Sequence, residues 1–335
     1  MNRVIVITGG TSGVGRATAR HFARHGDRVA VLARDRARLD ATVAELENLG
    51  VKGLGIVTDV ADAAQVNVAT TRVELELGPI DVWINNAMTT VVAPVDEMSP
   101  AEYQRVTDVC YHGFVWGTQA ALRVMKPRNR GTIIQVGSAL AVRSIPLQSA
   151  YCGAKHAIHG FTDSLRSELL HDKVAIELCM VQLPAVNTPQ FDWCVNKMPH
   201  ALGPVPPIFQ PEIIARALHA VSLRPRREVY LGWPSIKAIL GDKIAPGVAD
   251  RYLATHGYSG QMTDEPNSHA PANLFSPVPG DPGAHGRFDA TSRASDPIAR
   301  AATVLGAAGV HAVIGLVSAA AIASVALGLR WLVRR

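Results

Sequence analysis

From Val4 to Leu231 the chain alternates between two hydrophobic rhythms. Short, largely apolar runs rich in β-branched residues fall at Val4–Thr8, Arg28–Ala33, Lys52–Thr58, Asp81–Asn85, Gly131–Val136, Val174–Val181 and Glu228–Leu231. Between them lie stretches with apolar residues at helical spacing: Val14–His25, Ala37–Leu49, Ala63–Leu77, Ala101–Met125, Ala150–His171 and Pro211–Ser222. Strands that alternate with helices predict βαβ units, and runs apolar throughout predict strands covered on both faces. The expectation is an α/β fold, a doubly wound seven-stranded parallel sheet with helices on both sides, over residues 1–256.

Beyond Gly257 the pattern fades. Residues 257–300 are dense in Pro, Gly, Ser and Asp without a sustained period, which predicts a linker or extended strap. The alternative is a partly ordered tail over the first domain, anchored by Leu274, Phe275 and Phe288. From Ala301 to Leu329 no side chain is charged, and His311 is the one ionisable group. At 1.5 Å per residue those 29 residues exceed the roughly 20 that cross a bilayer core. Trp331 and the flanking arginines suit an interface, so 301–333 is expected to be a transmembrane helix.

Charge and cysteine content narrow the classes further. A net charge of +5 with no aromatic-interleaved basic run argues against nucleic-acid binding. Four cysteines without Cys-x-x-Cys spacing argue against a thiolate metal site and for free thiols. Helically spaced histidines (His21 and His25, His156 and His159) have no acidic or thiol third ligand near them in sequence, so no metal is expected. With no secretory segment at the start, the expected location is membrane-associated, with the main domain in the cytoplasm.

The first strand runs into Thr8-Gly9-Gly10-Thr11-Ser12-Gly13-Val14-Gly15 and then a helix. Glycines at such a strand-to-helix turn let backbone approach a pyrophosphate, which the helix N-terminus attracts. This context predicts a Rossmann-like dinucleotide site. On a later helix, Tyr151 and Lys155 are four apart and share a face. An ammonium beside a phenol favours the phenolate and brings its acidity nearer the working range.

Thr8-Gly-x-x-x-Gly-x-Gly15, Asn85-Asn86-Ala87, Ser138 and Tyr151-x-x-x-Lys155, in this order, resemble the short-chain dehydrogenase/reductase family. The resemblance covers residues 1 to about 255. It implies Tyr151 as acid/base, Lys155 as its acidifier and a ribose ligand, and Ser138 as the group orienting a substrate carbonyl. The cofactor residues it implies are Thr8, Gly9, Thr11, Ser12, Gly13, Val14, Gly15, Asp59, Val60, Asn86, Ala87, Tyr151, Lys155, Pro184, Val186 and Thr188. Arg34 joins them: the second strand ends in Ala33-Arg34, where an NAD-type carboxylate would stand, and a guanidinium suits a 2′-phosphate. NADP(H) is therefore expected over NAD(H). Homo-oligomers follow from the resemblance alone.

Three positions depart from the family pattern. Cys110 stands where an asparagine is usual, Met88 replaces a glycine, and Ala185 follows Pro184 in place of another glycine. They keep open a second reading, a membrane-tethered nucleotide-binding scaffold or redox sensor. The segment Asn187–Gln210 is rich in Pro and aromatics, which predicts an apolar substrate. Cys152 is expected to be a packing residue.

Overall fold

The computed structural model describes residues 2–232, 236, 241–242 and 244–295. Seven parallel strands form the central sheet: β1 (Val4–Thr8), β2 (Arg28–Ala33), β3 (Gly53–Val57), β4 (Val82–Asn85), β5 (Gly131–Val136), β6 (Ile176–Gln182) and β7 (Glu228–Tyr230). Their spatial order is β7-β6-β5-β4-β1-β2-β3. The chain order reverses between β1 and β4, opening a crevice beyond the strands' carboxyl ends.

Alternation along β1 explains the two layers. Ile5 and Ile7 pack on one side against Phe22 of α1 (Gly13–Arg24), Leu39 of α2 (Arg36–Asn48) and Ile214 of α7 (Pro211–Leu223). Val4 and Val6 face the other layer, with Val73 of α3 (Ala63–Glu76), Ala120 of α5 (Gly113–Met125) and Leu165 of α6 (Ser149–His171). The sequence expectation of a doubly wound α/β fold thus holds, with strand bounds shifted by two residues or fewer.

One long helix is not continuous. The stretch expected as Ala101–Met125 divides into α4 (Pro100–Thr107), a π-helical turn Asp108–His112, and α5. The wide turn carries Cys110 inward, where its Sγ accepts from the Thr89 amide at 3.3 Å and donates to the Thr89 carbonyl at 3.1 Å. Such bulges are frequent beside functional sites.

Residues 257–295 are laid along the domain. Met262–Pro266 pairs antiparallel with His200–Leu202, and Ser292–Arg293 pairs parallel with Ile208–Phe209. Within this strap Leu274 is buried whereas Phe275 is exposed; Phe288 packs edge-on against Phe191 at 6.0 Å. The expected membrane span, 301–333, lies outside the described residues. Among the described residues no helix is long and apolar enough to cross a membrane.

Candidate active site

The turn after β1 is shaped by close approach. Gly9 and Gly13 adopt positive φ of 65° and 54°, and a Cβ on Gly15 would stand 2.2 Å from the Gly9 carbonyl oxygen. Only glycine fits such a cradle. Below it, the Thr8 hydroxyl accepts from the Asn86 and Ala87 amides at 2.9 and 3.1 Å. Asn86 returns its side-chain amide to the Thr8 carbonyl at 3.0 Å. Two strand ends are thereby stitched together at the reversal point.

Gly9, Thr11, Ser12, Gly13, Val14 and Gly15 line one cavity of about 490 Å³, together with Arg34, Asp59, Val60, Asn86, Ala87, Pro184, Val186 and Thr188. Ser138, Tyr151 and Lys155 line the same cavity. Of the predicted catalytic and cofactor residues, Thr8 alone stands behind the wall. The glycine cradle at a helix N-terminus fits a dinucleotide pyrophosphate.

Lys155 is 2% exposed, and its Nζ donates to the Val136 carbonyl at 2.8 Å. The ammonium lies 4.5 Å above the Phe114 ring and 5.5 Å from the Tyr151 ring. Burial lowers its pKa to about 8, against a smaller raising effect of Cys110. The Tyr151 phenol moves the other way. Burial pushes it well above its ordinary value, Cys110 adds to this, and the hydrogen bond with Ser138 opposes it. Burial is the largest of these effects on the phenol, whose ring lies 5.5 Å from the Lys155 ammonium. The phenol is held protonated at neutral pH, as a general acid requires.

Ser138 is buried; its amide donates to Gln182 Oε1 at 2.7 Å, and its Oγ accepts from the Leu140 amide at 3.1 Å. Behind it, Gln182 Nε2 donates to Glu228 at 2.8 Å. Gln182 was not singled out in sequence. The available signal was a polar residue ending an otherwise apolar strand, since a buried amide must find partners.

The other departures acquire places too. Met88 and Ala185 both line the cavity. Cys110 is fully buried and burial raises its thiol pKa, which is the opposite of a reactive thiolate. Cys152, Cys179 and Cys194 are likewise buried, with thiols shifted upward.

Cations gather at the β2 end of the cavity. Arg105 pairs with Asp59 at 2.6 Å, and Arg16 sits between Glu45 at 2.7 Å and Asp281. Asp59 therefore meets an arginine, while the cap of α3 is Asp62. Arg34 forms no ion pair among the described residues; it donates to the strap carbonyls of Asn273, Leu274 and Phe275. Arg38 donates to those of Val278 and Gly280 and stacks over Trp193 at 4.8 Å. The Gly13 amide donates to the Gly283 carbonyl at 3.1 Å. Leu274 packs among Val60, Val109 and Cys110. The strap thus roofs the end of the cavity at Arg34, where the sequence predicts a 2′-phosphate.

A glycine cradle that shares its cavity with a partly buried phenol and a buried ammonium points to a dinucleotide-dependent oxidoreductase. The short chain dehydrogenase family model matches residues 3–195, and the chain belongs to that family, whose members act on hydroxyl and carbonyl groups. It is 29% identical over 272 residues to an uncharacterized oxidoreductase of Bacillus subtilis, YxnA, covering 80% of this chain and 76% of that protein. It is 27% identical over 259 residues to estradiol 17-beta-dehydrogenase 11 of Pongo abelii, covering 75% of this chain and 81% of that one. Among solved structures, an alcohol dehydrogenase from the archaeon Thermococcus sibiricus complexed with 5-hydroxy-NADP is similar at a TM-score of 0.59 and 25% identity. That likeness covers 69% of this chain and 96% of the archaeal one.

Gln182→Leu should strand the Ser138 amide in the interior, while Glu228 keeps His159 at 3.4 Å. The loss of one buried hydrogen-bond partner predicts about 1–3 kcal/mol lower stability, read from denaturant unfolding. Unfolding at an unchanged midpoint would show that Gln182 carries no strain of the site.

Proposed function

We propose that the protein transfers hydride between NADP(H) and the carbonyl or carbinol carbon of an apolar substrate, while tethered to a membrane by residues 301–333. The observation that carries this reading is the placement of Tyr151, Lys155 and Ser138 on the same cavity as the glycine cradle. Bound there, the nicotinamide would supply or accept the hydride. In the reducing direction Tyr151 gives its proton to the substrate oxygen as negative charge develops on it. Ser138 orients that oxygen by a hydroxyl hydrogen bond. Lys155 holds the ribose and supplies positive charge behind the phenol.

Arg34 supports NADP(H). A half-buried guanidinium that donates to backbone carbonyls and forms no ion pair among the described residues would be matched by the dianionic charge of a 2′-phosphate. Leu140, Ile145, Phe191, Val205 and Leu253 in the cavity wall support an apolar substrate. The name of the similar Pongo abelii protein, an estradiol dehydrogenase, points the same way. The sensor reading loses support from the buried, protonated thiol of Cys110. The tether rests on the uncharged run from Ala301 to Leu329.

The reading is tested by NADPH oxidation over a panel of apolar aldehydes and ketones. Tyr151→Phe should lower turnover by about 100- to 10,000-fold, the usual worth of a positioned acid, with dinucleotide affinity changed by less than about twofold. Failure of the parent protein on every substrate would sink the enzymatic reading. Arg34→Ala should weaken NADPH binding by about 10- to 100-fold, the equivalent of a charged hydrogen bond, and leave NADH nearly unchanged. Equal losses for both dinucleotides would remove the 2′-phosphate assignment. Deleting residues 301–335 should release the protein from the membrane pellet, and a chain that stays in the pellet has another anchor.

A further inference from the structure

We propose that residues 273–283 are a built-in competitor of the dinucleotide, a latch that holds phosphate-binding donors of the cavity and must release them before NADP(H) binds. This inference rests on the cofactor reading above. The segment reads Asn-Leu-Phe-Ser-Pro-Val-Pro-Gly-Asp-Pro-Gly. Pro277, Pro279 and Pro282 lack backbone donors and bias the residues before them toward extended conformations. An extended chain without internal hydrogen bonds leaves its carbonyls free, so the segment is rich in acceptors and adds one carboxylate, Asp281.

Those acceptors meet the donors that a dinucleotide's phosphates would seek. Arg34 Nη1 donates to the Leu274 and Phe275 carbonyls at 3.2 and 2.9 Å, and its Nη2 donates to that of Asn273. Arg105 Nε adds a bond to the Leu274 carbonyl at 3.1 Å. Arg38 Nε donates to the Gly280 carbonyl at 2.7 Å and its Nη2 to that of Val278. Arg16 grips both carboxylate oxygens of Asp281. In the glycine cradle itself, the Gly13 amide donates to the Gly283 carbonyl at 3.1 Å. Gly13, Arg34 and Arg38 line the cavity, and so do Asn273 and Pro277 of the segment that engages them.

The balance of forces suits a latch rather than a fixed wall. A guanidinium binds a phosphate roughly twice as strongly as a neutral carbonyl, so each arginine gains by the exchange. Against it stand the Arg16–Asp281 pair and the seat of Leu274 among Val60, Val109 and Cys110. Leu274 is the one buried apolar side chain between 273 and 283. A segment with a single apolar anchor, held mainly by polar contacts to its backbone, belongs to the low-stability end of a structure. Its flanks are fixed: Met262–Pro266 pairs with His200–Leu202 and Ser292–Arg293 with Ile208–Phe209. A released segment therefore stays close to the cavity and competes as an intramolecular ligand. Apparent dinucleotide affinity falls by the fraction of protein in which the latch is released.

The test follows NADPH and NADH binding to the full chain by the fluorescence of the reduced nicotinamide, which requires no substrate. Asp281→Ala removes the ion pair at an exposed position, and Leu274→Ala empties the apolar seat. Both variants should bind both dinucleotides more tightly, by about 2- to 5-fold for Asp281→Ala and by at least about tenfold for Leu274→Ala. A merely structural role for these side chains would leave affinity unchanged or weaken it. Amide exchange read by mass spectrometry should show residues 273–286 losing protection as NADPH saturates the parent, with 262–266 unchanged. Variants that bind no more tightly than the parent, or a segment that gains protection with NADPH bound, overturn the latch and leave the cofactor reading standing. Parent and variants that bind neither dinucleotide remove both.

Discussion

A buried ammonium organises the reactive end of this protein. Lys155 has no carboxylate in ion-pair range among the described residues; it is satisfied by the Val136 carbonyl and the Phe114 face. Both partners come from elements that the doubly wound topology delivers to the crevice, the end of β5 and the start of α5. Taking a charge out of water costs several kcal/mol unless it is paired, so the lysine is held at the edge of neutrality. The same desolvation keeps the Tyr151 proton in place. A cofactor ribose accepting from Lys155, and a nicotinamide's positive charge in the oxidised state, would act on both groups at once. The protein alone is therefore poised as an acid, and the oxidising direction depends on what fills the cavity.

The strap imposes a second constraint. Its carbonyls take donors from Arg34, Arg38 and the Gly13 amide. These are the groups that would otherwise turn to a dinucleotide's phosphates. Carbonyls are neutral acceptors, weaker for a guanidinium than a phosphate would be. The exchange therefore runs in favour of the anion, with the hydrophobic seat of Leu274 and the Arg16–Asp281 pair set against it. A dinucleotide that displaced these contacts would bind more weakly by whatever they contribute to the closed strap, as for any ligand that competes with a part of its own protein. The matched part of the family ends at residue 195, so this coupling belongs to the region beyond it.

Much of the architecture was legible in the order of apolar runs, because strands buried on both faces need no alternation and helices between them do. Gly9, Gly13, Gly15, Tyr151 and Lys155 were legible too, since their spacing within one turn or one helix face is local. What sequence could not display was contact at a distance. Gln182 meets Ser138 across two strands, and His219 meets His21 across most of the domain. The strap's Pro/Gly composition has no periodicity because its order comes from backbone carbonyls captured by arginines, which leave no apolar pattern. The π turn at Cys110 was hidden for a related reason: one extra residue in a helix does not disturb a coarse period.

Chain geometry links the strap to the proposed tether. Ser292 and Arg293 are fixed to Ile208 and Phe209, at the edge of the segment expected to select substrate. Only residues 294–300 separate that point from the uncharged run. Seven residues span at most about 25 Å when fully extended. With 301–333 in a bilayer, the substrate side of the cavity would lie within that distance of the lipid surface, whatever path the connection takes. An apolar substrate dissolved in the membrane would then meet the active site at a far higher local concentration than one drawn from water. The proximity would also bear on the strap, since an anchored end would restrict how far the segment after Ser292–Arg293 can move.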